Sequence, residues 1–204
     1  MVNKGQILVV SGPSGSGKST LIQKLMKEEE NIYFSISNTT REIRSGEKHG
    51  VNYYYVSEDE FKQGIEKEQF LEWALVHKNY YGTSLKPAME ALEKGKIVIF
   101  DIDVQGYNIV KEKFKDDIVS VFITTRNKKD LETRLNSRKT ENKDVIEKRI
   151  MNAVGEMEHI KEYDYLIIND DLDISYSAFK SIFNSMKYKT AYLNLRNVID
   201  DWIY

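Results

Sequence analysis

The chain has 204 residues, 41% hydrophobic and 30% charged, the composition of a folded globular domain rather than a disordered one. Lys and Arg total 30 against 32 Asp and Glu, and the net charge of −2 gives no global case for nucleic acid or an anionic membrane as partner. The absence of cysteine excludes disulfides and thiolate zinc sites, and only three histidines argue against a histidine-rich metal site. No apolar run approaches the ~18 residues of a membrane span. The start of the chain reaches its first apolar run by Ile7 and does not read as a signal peptide, so a cytoplasmic protein is expected.

Ile7-Leu8-Val9-Val10 is continuously apolar, the mark of a strand covered on both faces in a parallel sheet. It runs into Ser11–Thr20, SGPSGSGKST. There Gly12, four further residues and Gly17-Lys18-Ser19 make the phosphate-loop pattern. Leu21, Ile22, Leu25 and Met26 follow at helical spacing, in a helix expected to run to about Glu30. Strand, glycine-rich turn and helix start are the context the pattern needs. The glycines let backbone N–H groups turn toward an anion, and the helix N-terminus adds partial positive charge. Lys18 can reach the outer phosphates and the Ser19 hydroxyl can ligate Mg²⁺. These residues predict a nucleotide phosphate site.

Tyr33–Ser37 predicts a second strand, and Asn38–Glu47 a polar loop. Taken alone, Arg41 and Arg44 in that loop read as a solvated charge pair. Val51–Val56 reads as a strand from its aromatic content. Ser57 and Glu60 make a capping box for a helix holding Phe61 and Ile65. Phe70-Leu71-Glu72-Trp73-Ala74 sets a carboxylate inside an apolar run. Glu72 is either a strand residue facing water or an acceptor aimed at a ligand's N–H groups, and its neighbours leave both readings open. Tyr80–Ser84 reads as a turn. A helix is predicted from about Leu85 to Lys94, with Pro87 in its first turn.

Ile97–Phe100 is a second fully apolar strand, with Asp101 and Asp103 at its carboxyl end, where open α/β sheets bind ligands; Asp at such a place also often caps the next turn. A short helix over Tyr107–Phe114 and a core strand over Ile118–Ile123 follow. Asn127–Ser137 predicts a helix with Leu131 and Leu135 on one face and Arg134 and Arg138 on another. After a polar break, Asp144–Ile160 predicts a second helix with Val145, Ile146, Ile150, Val154 and Met157 inward and Arg149 beside them. Leu166–Ile168 reads as the last core strand, and Ile174–Tyr188 as a helix with Phe179, Ile182, Phe183 and Met186 in the core. The tail Tyr192–Tyr204 is apolar enough for a docked helix or a partner contact. Strands alternating with helices predict a doubly wound α/β fold in one domain. Its core spans about 1–34, 97–126 and 160–190; residues 35–96 read as an insertion, 127–159 as a mobile two-helix flap and 191–204 as a tail.

Taken in order, the segments SGPSGSGKST, SISNTTR, R-S-G-E, FLEWA, NYYGTS, IFDIDVQG, RLNSRKTE and INDDL resemble the guanylate kinase family along about the first 180 residues. The resemblance implies a nucleoside-monophosphate-kinase-like parallel sheet flanked by helices, with inserted GMP-binding and lid subdomains. It implies transfer of the γ-phosphoryl group of ATP to GMP, and to dGMP as well, with Mg²⁺. Gly12, Pro13, Ser14, Gly15, Ser16, Gly17, Lys18, Ser19 and Thr20 would hold ATP, with Asn169 near the adenine. Ser37, Arg41, Arg44, Tyr53, Glu72, Tyr81, Thr83 and Asp101 match the GMP site, and Asp103 its guanine side. Arg41 and Arg44 suit the GMP phosphate as charged forks, and Tyr53 and Tyr81 can donate phenolic hydrogen bonds to it. Glu72 can accept from guanine N1–H and the exocyclic amine, and Ser37 and Thr83 can donate to guanine O6. Ser19, and Asp101 through water, would hold Mg²⁺. Lys18, Arg134, Arg138 and Arg149 would stabilise charge on the transferring phosphoryl group. The nucleophile is an anionic phosphate oxygen, so no general base is required.

Asn38 stands where the family often has Ser, and Lys139 where it often has Gly. Guanylate-kinase-like domains that serve as interaction scaffolds typically lose phosphate-loop residues. Here Gly12, Gly17, Lys18 and Ser19 are all present, which favours an enzyme. Glu72 and Thr83 favour a guanine base over a ribose phosphate as the acceptor.

Overall fold

The computed structural model describes residues 4–44, 46–76, 78–137, 143–193 and 195–203. Its main sheet holds β1 (Gln6–Ser11), β2 (Ile32–Phe34), β7 (Ile97–Asp101), β8 (Ile118–Thr124) and β9 (Tyr165–Ile168). All pairs are parallel and the order is β2-β7-β1-β8-β9. The apolar runs are explained by cover on both faces. Leu8 and Val10 pack against α1 (Lys18–Glu28) and α7 (Leu172–Met186), together with Leu21, Leu25, Phe179 and Phe183. Ile7 and Val9 face the other way, onto α3 (Leu85–Glu93) and α4 (Val104–Phe114), with Ala88, Ala91, Tyr107 and Val110. Each of the Val, Leu, Ile and Phe side chains among them, fully buried, contributes about 1.5–3 kcal/mol.

A second sheet holds β3 (Asn38–Thr39), β4 (Tyr54–Tyr55), β5 (Phe70–Val76) and β6 (Asn79–Ser84) in the order β4-β3-β6-β5. The helix α2 (Glu58–Glu66) packs Phe61 against Phe70 and Tyr80 of this sheet, and Ser57 and Glu60 form the expected capping box. Two further helices, α5 (Lys128–Ser137) and α6 (Lys143–Met157), bury Leu131, Leu135, Ile146, Ile150 and Ala153 between them. The helix α8 (Leu195–Ile203) closes the described chain.

Several sequence expectations need correction. Residues Tyr80–Ser84 are not a turn but part of β6, paired antiparallel with β5 and β3. The polar loop at 38–47 opens with a strand, because Asn38 and Thr39 fill the slot between β4 and β6. Conversely, the strands expected at Tyr33–Ser37 and Val51–Val56 pair only over Ile32–Phe34 and Tyr54–Tyr55. Val145, Val154 and Met157 are exposed rather than inward, and Ala153 occupies the core position instead. β9 is a sheet edge, and only its Ile167 joins the core, while Leu166 and Ile168 are about half exposed. The helix expected over Ile174–Tyr188 is α7 and starts at Leu172, with Asp171 accepting from the N–H groups of Asp173 and Ile174, so Ile174 lies in an exposed first turn. The tail is helical, and Trp202 on it is exposed.

Candidate active site

The carboxyl ends of β1 and β7 open into a cleft of about 910 Å³, at the upper end of the range for small-molecule sites. The loop joining β1 to α1 forms one wall. Gly12 has φ +135°, and a Cβ there would lie 2.0 Å from the Ile123 carbonyl oxygen. Gly17, at φ 98°, is the N-cap of α1 and offers no side-chain cap. The N–H groups that open α1, at Lys18 and Ser19, are thus left for an anion rather than for a capping side chain. Gly15 lies against Leu131 and Leu135 of α5. Lys18 donates from Nζ to the Gly12 carbonyl and, at 3.3 Å, to that of Pro13. The same nitrogen is 4.0 Å from Asp101 Oδ1. Burial pushes the Asp101 carboxyl up, against the pull of Lys18 and of a hydrogen bond with the Ser19 hydroxyl.

Three side chains grip this loop from outside it. Arg149 of α6 donates to Ser14 Oγ at 2.6 Å. Arg134 of α5 donates to the Ser16 carbonyl at 3.3 Å and the Asn169 carbonyl at 2.5 Å. Asn169, just past β9, donates from Nδ2 to the Ser16 carbonyl at 2.8 Å. Thr20 continues α1 and donates its N–H to the Gly17 carbonyl. Arg138 and Lys139 lie outside the described residues.

The second sheet forms the opposite wall. Arg41 donates to Glu47 Oε1 and Oε2 at 2.8 and 2.9 Å and to the Glu42 carbonyl at 2.7 Å. Its guanidinium lies 5.5 Å from the Tyr53 ring centre and 5.8 Å from that of Tyr55. Burial raises the Glu47 carboxyl, but hydrogen bonds from Arg41, the Arg44 N–H and the Tyr55 hydroxyl outweigh it and hold the group at about 2. Tyr53 meets Tyr81 edge-on at 5.9 Å. Thr83 Oγ1 donates to Glu72 Oε1 at 2.5 Å, fixing the carboxylate on β5 from the neighbouring β6. Burial pushes the Glu72 carboxyl up, and the Thr83 hydrogen bond opposes it. Of the two readings left open for Glu72, the cleft-facing one is realised, and Trp73, next to it, faces solvent. Asp103 Oδ1 accepts from the Gly106 N–H at 2.9 Å and so caps α4, while the residue also lines the cleft. Ser37, Arg44 and Tyr81 line the same wall. Asn38, the departure beside them, accepts from Ser84 Oγ at 2.9 Å.

The expected site residues thus converge on one cleft or on the loop that walls it, Arg138 excepted. Two acidic residues were missed. Glu47, within the R-S-G-E segment, has no role there; the readable signal is a glutamate close in sequence to Arg41 and Arg44. Glu156 lines the cleft, and among the described residues its Oε2 is buried without a hydrogen-bond partner. Burial pushes its carboxyl up, against the pull of Lys18. Arg149, Asn152 and Glu156 follow at i, i+3 and i+7, one helix face, and that spacing was readable. Among the described residues no three or more His, Cys, Asp or Glu gather as a metal site.

The guanylate kinase sequence model matches residues 4–186. The chain belongs to the guanylate kinase family. It is 53% identical over 200 residues to a guanylate kinase of Campylobacter jejuni (strain RM1221), covering 98% of each chain. It is 49% identical over 202 residues to one of Helicobacter pylori, covering 99% of this chain and 98% of that one. A crystal structure of guanylate kinase from Anaplasma phagocytophilum superposes with a TM-score of 0.80 at 31% identity, over 98% of this chain and 97% of that one. The chain is therefore a kinase built on a parallel sheet flanked by helices. The family match also extends over the second sheet and over α5 and α6.

Proposed function

We propose that the protein transfers the γ-phosphoryl group of ATP to GMP, and to dGMP as a second acceptor, giving ADP and GDP. The observation that carries the reading is the pairing of two walls across one cleft. A phosphate loop with Lys18 stands on one side, and the Glu72–Thr83 pair with Arg41, Arg44, Tyr53 and Tyr81 on the other. Glu72 is an acceptor-only group that matches the two N–H donors on guanine's edge. AMP has neither donor there and would leave the carboxylate unpaired, the condition under which discrimination is steep. Ser37 meets guanine O6, while Thr83, whose one hydroxyl proton goes to Glu72, orients that carboxylate, and the Arg41 cluster meets the GMP phosphate.

Mg²⁺ fits the oxygen set. Ser19 and Asp101 are bonded to each other beside Lys18, and such hard oxygens suit an ion that takes its other ligands from phosphates and water. Ser19 would hold the ion directly and Asp101 through water. Bound there, the ion neutralises phosphate charge. Lys18, Arg149 and Arg134, with Arg138, carry the rest of that charge, and the loop N–H groups orient the donor. No side chain removes a proton, because the attacking oxygen is already anionic. Residues 127–159 act as a lid that excludes water, 35–96 as the GMP-binding insertion, and 1–34, 97–126 and 160–190 as the core. The contacts of Arg134 and Arg149 with the loop support a lid in that place. The enzyme works in the cytoplasm, in purine nucleotide metabolism. A coupled ADP-release assay with ATP against GMP, dGMP, AMP, UMP, CMP and a ribose phosphate tests the reading. Turnover with GMP and dGMP alone is expected, and comparable turnover with AMP, or none with GMP, overturns it.

A further inference from the structure

We infer that Asn169 is a positioning residue for the phosphate loop: it fixes the plane of the Ser16–Gly17 peptide so that the Gly17 N–H points at the donor phosphates. This rests on the reading of Ser11–Thr20 as the ATP phosphate site. The resemblance implies a place for Asn169 near the adenine; in the structure its side-chain nitrogen is bonded to the loop. The Asn169 amide is buried, 5% of the residue being exposed, and its Nδ2 donates to the Ser16 carbonyl at 2.8 Å. A carbonyl only accepts, so the amide nitrogen rather than its oxygen must face Ser16.

Fixing that carbonyl fixes more than one atom. The peptide is planar and trans, so the N–H of Gly17 points opposite to the Ser16 C=O. Gly17 sits at φ +98°, a conformation a flexible glycine can leave readily. Without a brace, this peptide can flip and turn its carbonyl, instead of its N–H, toward the phosphates. The brace is itself anchored. The Asn169 N–H bonds the Thr124 carbonyl at the end of β8 at 2.7 Å, and the Asn169 carbonyl accepts from Arg134. Arg134 adds a second, longer bond to the Ser16 carbonyl, at 3.3 Å. The fit explains why position 17 is glycine: a Cβ there would lie 2.2 Å from Asn169 Nδ2. The phosphate loop is thus aimed by a side chain more than a hundred residues away, at the far edge of the sheet.

The test separates loop aiming from adenine contact by using a ligand without a base. Tripolyphosphate and ATP binding, each with Mg²⁺, are measured by calorimetry for the wild type, Asn169→Ala and Asn169→Asp. Both ligands are expected to weaken by the same factor, about tenfold for Ala, the loss of one buried hydrogen bond. Asp, of nearly the same shape as Asn, sets an acceptor against the Ser16 carbonyl and is expected to be worse than Ala. A role of side-chain bulk alone predicts Asp better than Ala. GMP affinity, read on the same samples, stays within twofold and shows that the fold is intact. Should Asn169→Ala not fold, Asn169→Ser is measured in its place with the same expectations. Tripolyphosphate binding unchanged in a folded variant that weakens ATP would overturn the inference and return Asn169 to the base. Failure of the wild type to bind either polyphosphate would instead refute the ATP site itself.

Discussion

Glu72→Ala tests the guanine assignment most directly. In the structure the carboxylate is already desolvated and held by Thr83 at 2.5 Å, so guanine binding need not bury or orient it again. Guanine adds two N–H donors, and each charge-assisted bond is worth about 1.5–3 kcal/mol. Allowing for the water that refills the space in the variant, a loss of about 3–4 kcal/mol is expected, or a ~10²–10³-fold rise in KM for GMP. Glu72→Gln should do no better. Its carbonyl keeps the Thr83 bond, but its NH₂ then meets a guanine donor. A coupled assay at saturating ATP gives KM and kcat, and KM for ATP should stay within twofold. A GMP KM within threefold of the wild type, or recovery by Gln, refutes the assignment. The Gln variant carries a second readout. Burial raises the Glu72 carboxyl above its ordinary value of 4.5, so the folded wild type binds the proton more tightly than the unfolded chain does. That favours the folded wild type at low pH, and the advantage is lost as pH rises through the raised value. Glu72→Gln should therefore melt above the wild type at pH 7.5, with the difference closing toward pH 4. A difference that does not change with pH would mean that the carboxylate is not strained by burial.

Lys18→Ala should lower kcat by about 10²–10³-fold, the scale of losing one charged donor in a preorganised site. Its melting temperature should shift by no more than about 3 °C, since Lys18 bonds loop carbonyls at the cleft and its ion pair with Asp101 is long, at 4.0 Å. Turnover within tenfold of the wild type would remove Lys18 from the chemistry. Glu47→Gln addresses the cluster around Arg41. The Glu47 carboxyl sits at about 2 when folded, below its ordinary 4.5, so its stabilisation is complete above pH 4.5 and fades as pH falls toward 2. Discounted for solvent screening, the variant should lose about 1–2 kcal/mol at pH 7.5 and less at pH 3.5, read from urea midpoints. An equal loss at both pH values would show that packing, not charge, is what Glu47 contributes.

What could be read from the sequence depended on how local the cause was. The phosphate loop was legible because its glycines, lysine and serine act within one turn and the next strand and helix confirm it. The buried strands were legible because cover on both faces leaves no polar position. β6 was not, since Asn79–Ser84 carries turn-forming residues and is a strand only because β5 and β3 flank it. The same holds for Glu47 and Asn169. A glutamate three residues past an arginine in a polar loop looks solvated until Tyr55, from another strand, closes on it. Asn169 looks like a loop residue until the fold brings Ser16 within 2.8 Å. Segments such as R-S-G-E and INDDL mark these residues, but the partners each one bonds come from other elements and are set only by the fold.

Lys18 and Arg41, the cations proposed to meet the two phosphates, are each held by an acceptor of the protein itself. Lys18 bonds the carbonyls of Gly12 and Pro13, and Arg41 bonds Glu47. Protein partners of this kind keep each cation oriented and spare it the cost of standing unpaired in a partly buried cleft. A phosphate arriving there exchanges one set of hydrogen bonds for another, so its gain is the difference between the two. For Arg41 that difference is small where Glu47 can keep one fork while the phosphate takes the remaining N–H groups, and the acceptor site then gains orientation more than raw affinity. The Ser16–Gly17 peptide behaves otherwise. Asn169 holds its carbonyl from behind, on the side away from the Gly17 N–H, so a phosphate there need not break the Asn169 bond and exchanges only the N–H group's bond to water.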